Sequence, residues 1–341
     1  MGRKRVNGET NAELRQADLK TIRLGGKPGI MAVRLYEAFQ EVNLSPSTLD
    51  VDIRKLKMFN RFFEGLYEQG VCKTLDPRHF DEPMIMEFML WMKNKGLVVS
   101  TQEKYIQILE RYLRLFGNDV VGKMRDNPRY KFPKAPRDTP IEALSQDEMQ
   151  EVIDATYNLV GWSGWVLRGV ICLAFGIGGR HKEVIDAEVQ DLSLRSEDFF
   201  IRHPKGEGTW GIPQWVDIIR KDMLPYLWEF LEEREKMVAE TGITSSFLFV
   251  NPRTGLPYTE KSMRLLKKKV EEISGIHFKI KDMRSTFCSL TINDHMERLN
   301  ATSEQMRHAS PEMTRKHYLR INRKRAIQNG IGESWKETEI R

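Results

Sequence analysis

The chain has 341 residues, and its 54 Lys and Arg against 48 Asp and Glu give a formal net charge of +6. Hydrophobic residues make up 40% of it, which is enough to build folded cores and excludes wholesale disorder. No stretch approaches the roughly 18 apolar residues of a membrane span. The basic N-terminus has no apolar signal region, and the three cysteines lie far apart. We therefore expect a cytoplasmic protein of about two domains, with no membrane segment and no zinc ribbon.

The first half of the chain is predicted to be helical. Residues 1–44 predict an N-terminal arm with one helix over about 31–42. Three further helices are expected over about 47–70, from Pro83 to Gly96, and over 100–116. Apolar residues recur at helical spacing in them, as Leu56, Phe59 and Phe63 do in the first. Residues 45–121 therefore predict a small helical domain.

The next segment, residues 122–140, is rich in proline and positive charge. Its four prolines exclude a long helix, so we expect an extended linker. A basic linker could lie along a phosphate backbone as a strap or could simply be solvated. The residues that would bind DNA in the first case are Lys123, Arg125, Arg129, Lys131 and Lys134.

From residue 141 onward the pattern predicts a second, mixed domain. Ser145 with Glu148 three residues later is typical of a capping box at the start of a helix. Segments 198–203 and 210–219 alternate in polarity around turn glycines and predict a β-hairpin. Further helices are expected over about 165–175, 222–240, 260–274, 281–294, 303–308 and 311–318. The predicted fold class is mainly α with a small β-hairpin or sheet (α+β).

Several common catalytic motifs are absent from the sequence: the phosphate loop, GxGxxG, HExxH, GxSxG and Cys/His ligand clusters. What remains is a set of basic residues in separate places. Arg180 follows two glycines in GIGGR and precedes Glu183 by three residues. Lys205 lies in the predicted hairpin turn, KDMR contains Lys281 and Arg284, and MRHASPEMTRKHY contains His308 and Tyr318.

In this order and spacing, GGRHKEV, the hairpin lysine, KDMRSTF and HASPEMTRKHY resemble the tyrosine site-specific recombinases, or phage integrases, archaeal and viral types included. Arg180 and Arg284 are 104 residues apart, and His308 follows Arg284 by 24. The resemblance covers the second domain, and the helical domain before it fits the family's SAM-like core-binding domain. It implies a two-domain, C-shaped DNA clamp with the catalytic domain at 141–321.

The resemblance implies DNA strand transfer with neither metal nor ATP. A tyrosine nucleophile conserves the phosphodiester energy in a covalent link, so Tyr318 would attack and form a 3′-phosphotyrosine. Arg180 and Arg284 would stabilise charge on the nonbridging phosphate oxygens. Lys205 would protonate the departing 5′ oxygen as general acid.

Three further residues receive supporting roles by the same resemblance. His308 would donate a hydrogen bond to the scissile phosphate, and Glu183 would orient the active-site bases. Lys281 stands where the family usually has histidine, and lysine is a poor base unless its pKa is lowered. Tyr318 follows His308 by ten residues where nine is commoner, which leaves open delivery to the chain's own site or to a neighbour's.

The implied partners are double-stranded DNA, three further copies of the chain in a tetramer that exchanges strands through a Holliday junction, and accessory DNA-bending proteins. The chain would then be nucleoid-associated in the cytoplasm. Residues 322–341 form a short tail, which either docks on a neighbouring protomer or frays. Two alternatives use the same pattern: a type IB topoisomerase-like enzyme or telomere resolvase, and a DNA-binding protein with a degenerate site.

Overall fold

The computed structural model describes residues 10–136, 143–208, 210–292, 295–308 and 310–315. The chain divides into two compact units, residues 1–137 and 138–341. Within the described residues, no helix is both long enough and apolar enough to cross a membrane.

The first unit consists of helices. They are α1 (Asn11–Leu14), α2 (Pro28–Gln40), α3 (Pro46–Glu68), α4 (Glu82–Asn94), α5 (Val99–Leu115) and α6 (Val120–Asp126). Ser45 caps α3, since its hydroxyl accepts from the Thr48 amide at 3.4 Å, whereas the sequence alone indicates Ser47 or Thr48 as the cap. Asp81 caps α4 in the same way through Met84.

Aromatic side chains from three helices form the centre of this core. Phe59 and Phe63 of α3, Phe88 of α4 and Tyr112 of α5 are all at most 2% exposed. Phe59 and Phe88 meet edge to face with ring centroids 5.0 Å apart. The predicted stripes on α3 and α5 are therefore core faces. On α4, Met86 and Leu90 are exposed although we expected core residues there, because only one side of this almost uniformly apolar helix meets the unit.

Two of the predicted boundaries of this unit are wrong. The described part of the expected N-terminal arm belongs to the core, where Leu14, Leu35 and Tyr36 are buried. Tyr36 donates to the buried Asp52 carboxylate at 2.7 Å, which ties α2 to α3. The expected linker also begins too early, because α6 runs to Asp126. The first proline of this segment is Pro128, so nothing stops the helix sooner.

The second unit surrounds one buried helix. Its helices are α7 (Gln146–Ala155), α8 (Trp162–Ile177), α9 (His181–Ile185), α10 (Leu224–Thr241), α11 (Glu260–Ser274), α12 (Asp282–Ile292) and α13 (Leu299–Gln305). Every residue of α8 from Val166 to Ile177 is buried. The helix packs against α7, α10, α11 and α12, which explains why its sequence from Val166 onward is apolar except for the buried Arg168. The predicted capping box of α7 is confirmed, with both Ser145–Glu148 bonds present.

A small antiparallel sheet completes the unit. Its strands, in the order β1-β2-β3, are β1 (Leu192–Ser193), β2 (Asp198–Ile201) and β3 (Gln214–Asp217). Phe199 pairs with Val216 in the β2–β3 hairpin, which confirms the predicted hairpin with shorter strands. Strand β1 has only two residues, too few to show an alternating pattern. The mainly helical α+β prediction is confirmed.

Candidate active site

The first predicted arginine is placed by the end of α8. Gly178 adopts φ 63°, and the Gly179 amide donates back to the Ala174 carbonyl at 3.0 Å, which ends the helix. A Cβ on Gly178 would lie 2.5 Å from the Phe287 ring. We expected these glycines to allow close approach of a phosphate. Their observed role is to end α8 against α12 and to start α9 directly after Arg180.

Glu183 on α9 collects the donors around it. Its side chain is 2% exposed. Oε1 accepts from Arg180 Nη1 at 2.8 Å and from the Lys205 main-chain amide at 3.4 Å. Oε2 accepts from the Arg180 main-chain amide at 3.0 Å and from Arg307 Nη2 at 2.6 Å. Both carboxylate oxygens are thus fully used inside the protein.

The charge state of Glu183 follows from these neighbours. Burial alone would raise the pKa of its carboxyl, since it penalises the ionised form. The positive charges of Arg307 and Arg180, with the hydrogen bonds from Arg180, outweigh burial and lower that pKa below its ordinary value. Glu183 is therefore ionised at neutral pH.

Arg284 joins three elements. It lies on α12, and its Nη1 donates to the Gly178 carbonyl at 2.7 Å while Nη2 donates to the Met306 carbonyl. Burial, followed by the charges of Arg180 and Arg307, lowers the pKa of Arg284. We call Arg180, Glu183, Arg284 and Arg307 the arginine cluster. Arg180 and Arg307 both contact the Glu183 carboxylate. Arg284 interacts with these groups through its charge. Three guanidinium groups thus outnumber one carboxylate, so the cluster carries unbalanced positive charge.

His308 follows a second helix end of the same type. The Arg307 amide donates to the Glu304 carbonyl at 2.8 Å, and the His308 amide donates to the Ser303 carbonyl at 3.0 Å. This is a Schellman motif, so α13 ends before His308, where we expected helix. His308 Nδ1 lies 2.6 Å from the hydroxyl of Thr314, a residue that is fully buried. The bond holds the imidazole ring from one side.

The two candidate lysines are both exposed. Lys205 lies between β2 and β3, and its main-chain amide is held by Glu183. Gly206, in the left-handed region, packs directly under the Trp210 ring, which shapes the turn. Lys281 immediately precedes α12. Among the described residues, no hydrogen bond or ion pair joins Lys281 to the arginine cluster or to His308.

The fold thus brings together Arg180, Glu183, Arg284, the main chain of Lys205 and the turn that leads to His308. Tyr318 lies outside the described residues. Two residues that the sequence did not indicate also belong here, Arg307 and Thr314. Arg307 lies inside the helix predicted over 303–308, and nothing in the local sequence indicates its left-handed backbone conformation.

The candidate DNA-binding residues of the linker differ in their surroundings. Lys123, Arg129, Lys131 and Lys134 are exposed. Arg125 is exposed as well, but it donates to Glu110 at 2.9 Å and lies over the Phe132 ring at 4.7 Å. These contacts hold residues 127–136 along the first unit, which makes Arg125 an anchor of the segment.

No group of three or more His, Cys, Asp or Glu side chains that could hold a metal ion occurs within the described ranges.

The chain matches one protein family and several solved structures. The phage integrase family model matches residues 142–325. No curated protein is significantly similar in sequence. A lambda integrase dimer bound to a COC′ core site is 14% identical with a TM-score of 0.60, over 83% of this chain and 95% of that one.

Two other structures are similar to the same extent. The XerH recombinase in its post-cleavage complex with difH is 16% identical with a TM-score of 0.60, over 89% of this chain and 85% of that one. The Tn1549 transposon integrase in complex with transposon right end DNA is 16% identical with a TM-score of 0.57, over 84% and 94%. At such identities the likeness shows a shared fold.

Proposed function

The chain belongs to the phage integrase family, and from that premise we propose that it is a site-specific recombinase that cleaves and rejoins duplex DNA through a 3′-phosphotyrosyl intermediate. The observation that carries the proposal is the arginine cluster. Arg180 and Arg307 contact the carboxylate of Glu183. Burial, followed by the charges of these two arginines, lowers the pKa of the nearby Arg284. A bound phosphodiester would supply the missing negative charge.

The reaction is a transesterification. The Tyr318 oxygen attacks phosphorus, a phosphotyrosyl bond forms, and the bond from phosphorus to the 5′ oxygen breaks. Arg180 and Arg284 stabilise the charge that grows on the nonbridging oxygens. Lys205, exposed on the hairpin, gives its proton to the 5′ oxygen as that oxygen leaves. The reverse attack by a 5′ hydroxyl rejoins the strand.

His308 and Lys281 complete the proposed site. The Thr314 hydroxyl holds the His308 ring so that it can donate a hydrogen bond to the phosphate. Lys281 lies three residues before Arg284, nearly one helical turn away, and its positive charge favours loss of the Tyr318 proton to solvent water. Glu183 orients Arg180 through two hydrogen bonds.

The proposed partners are duplex DNA and three further copies of this chain. A lambda integrase tetramer bound to a Holliday junction has a TM-score of 0.62 to this chain at 15% identity, and we extend its assembly to this protein. Accessory bending proteins belong to the same proposal. Exposed basic residues of the linker, such as Lys131, would contact the DNA backbone, so affinity should fall steeply with salt.

The direct test is covalent trapping. Purified protein is mixed with fragmented genomic DNA that includes the element carrying the gene, and the reaction is stopped with SDS. The DNA fragments that are covalently linked to protein are then sequenced. We expect wild type and a matched Tyr226→Phe control to yield fragments that share one sequence, and Tyr318→Phe to yield none, because the phenol oxygen is the nucleophile.

Other outcomes would revise the proposal. Linkage that survives in Tyr318→Phe would show a different nucleophile. No linkage by wild type on DNA that it binds would favour the degenerate binder. Linkage without exchange between two DNAs would favour a topoisomerase-like enzyme or a telomere resolvase.

A further inference from the structure

Arg307 has a backbone conformation that arginine rarely adopts. Its φ is 54°, in the left-handed region, and it occupies the position after α13 where a Schellman motif usually has glycine. The turn itself would form more easily with glycine. The reason for an arginine at this position must therefore lie in the contacts of its side chain.

The side chain of Arg307 points into the arginine cluster. It is 10% exposed, and Nη2 lies 2.6 Å from Glu183 Oε2. Nη1 donates to the Gln305 carbonyl at 3.3 Å. Nε is buried and has no hydrogen-bond partner among the described residues. A guanidinium this buried is stable only beside negative charge, and Glu183 is the carboxylate that it contacts.

Three positive charges and one main-chain amide surround Glu183, from four parts of the unit. Arg180 comes from the start of α9, Arg284 from α12 and Arg307 from the turn after α13. The hairpin contributes the Lys205 main-chain amide. If Arg307 were absent, the Glu183 carboxylate would be balanced mainly by Arg180. The net positive charge of this group of side chains would then be smaller. Arg180 would then attract a phosphate less strongly.

We propose that Arg307 is a positioning residue, which shares the charge of Glu183 so that Arg180 keeps its positive charge for the scissile phosphate. This inference rests on the proposed recombinase function. Arg307 acts through Glu183, and its Nη2 contact lies on the carboxylate oxygen that Arg180 does not reach with its side chain. This positioning role also explains why the left-handed turn before His308 contains an arginine instead of a glycine.

The kinetic test compares three variants on a DNA site recovered by trapping. Arg307→Gly suits the backbone but removes the guanidinium, and Arg307→Lys keeps a charge without the planar fork. Glu197→Gly is the matched control, because Glu197 also has a left-handed φ of 57° and forms an ion pair with Lys221 instead of with the cluster. The readouts are DNA affinity and the single-turnover rate of covalent linkage at saturating DNA.

We expect Arg307→Gly to slow linkage by about 100-fold, with DNA affinity changed less than about threefold. Arg307→Lys should link to DNA about tenfold faster than Arg307→Gly. Glu197→Gly should react like wild type. A second measurement is a double-mutant cycle with Glu183→Gln, in which the effect of Arg307→Gly should largely disappear. Wild-type rates in Arg307→Gly, or losses that add in the double variant, would overturn the proposal.

A third measurement needs no reaction and so separates this inference from the proposed function. Glu183 has a lowered pKa in the folded protein, so its charge stabilises the fold above about pH 4.3 and stops doing so as pH falls through the folded pKa. Removing Arg307 raises that pKa. The Tm difference between wild type and Arg307→Gly should be largest near neutral pH and shrink as pH falls below about 4.3 through the lowered pKa of Glu183.

The same comparison in the Glu183→Gln background should show no such pH dependence. A wild-type minus Arg307→Gly difference that is constant with pH would overturn the Arg307–Glu183 coupling, whether or not the wild type links to DNA. If the Tm difference behaves as expected and the wild type still fails to link, the coupling stands and the recombinase proposal fails.

Discussion

At the scale of single residues, Arg284 has both a structural and a proposed chemical role. Its two terminal nitrogens donate to the carbonyls of Gly178 and Met306, which belong to two different helix ends. Only a planar fork can satisfy both at once. The orientation of the proposed phosphate-binding group is therefore determined by main-chain atoms, which a sequence pattern does not show.

We predict that Arg284→Lys slows covalent linkage by at least about 100-fold at saturating DNA, because an ammonium cannot reproduce the fork. Arg234→Lys is a matched control. Arg234 is also buried and donates to the carbonyls of Ser245, Phe247 and Leu248. Both variants should lose stability, by about 1–3 kcal/mol for each carbonyl left unsatisfied. Equal losses of linkage rate in the two variants would show that Arg284 is only structural.

At the scale of elements, two helix ends deliver the site. The turn at Gly178 after α8 places Arg180, and the turn at Arg307 after α13 places His308. Each turn uses a residue in the left-handed region, and Arg284 of α12 donates to the carbonyl of Gly178 and to that of Met306, the residue before Arg307. The geometry of the site thus depends on where helices stop.

Gly178→Ala tests this dependence. We expect the left-handed conformation to cost about 1 kcal/mol in the free energy of unfolding, and the contact with Phe287 to add about 1–3 kcal/mol. Gly242→Ala is the control, since Gly242 has φ 65° and nothing within 4 Å of an added Cβ. Denaturant unfolding should show only the first cost in Gly242→Ala. If the two variants lose the same stability, the contact between an added Cβ at position 178 and the Phe287 ring adds no cost to the free energy of unfolding.

At the scale of the whole molecule, positive charge is partly used internally. The linker carries exposed lysines, whereas Arg125 at the end of α6 is paired with Glu110 and lies over the Phe132 ring. Charge that already has a protein partner releases fewer counterions when DNA binds. Net charge therefore overstates the number of phosphate contacts.

We predict that Lys131→Gln lowers the slope of log affinity against log salt by about 0.9, as expected for one lost phosphate contact. Arg125→Gln should lower it by less than about half as much, because Glu110 already neutralises that charge. Fluorescence anisotropy on one duplex, at salt concentrations between about 50 and 200 mM, would measure both slopes. An unchanged slope for Lys131→Gln would show that Lys131 makes no contact with the DNA phosphates.

The sequence by itself determined the architecture of both units in outline and the identity of the main candidates. Helical spacing, the Ser145–Glu148 capping box and turn glycines are local signals, so α7 and the hairpin could be predicted without tertiary information. The ordered set from Arg180 to Tyr318 was likewise readable, because residue type and spacing carry the resemblance to the family that matches residues 142–325.

Only the tertiary structure decided how these residues are held. The N-terminal arm was predicted separately from the first unit because burial of Tyr36 depends on contacts with Asp52 of α3 and with Arg111 of α5, which is 75 residues away in the chain. Arg307 was missed because its φ, its burial and its 2.6 Å contact with Glu183 arise from a turn 124 residues away. Local propensity is set by neighbours in sequence, whereas charge balance in a buried site is set by neighbours in space, and only folding brings those together.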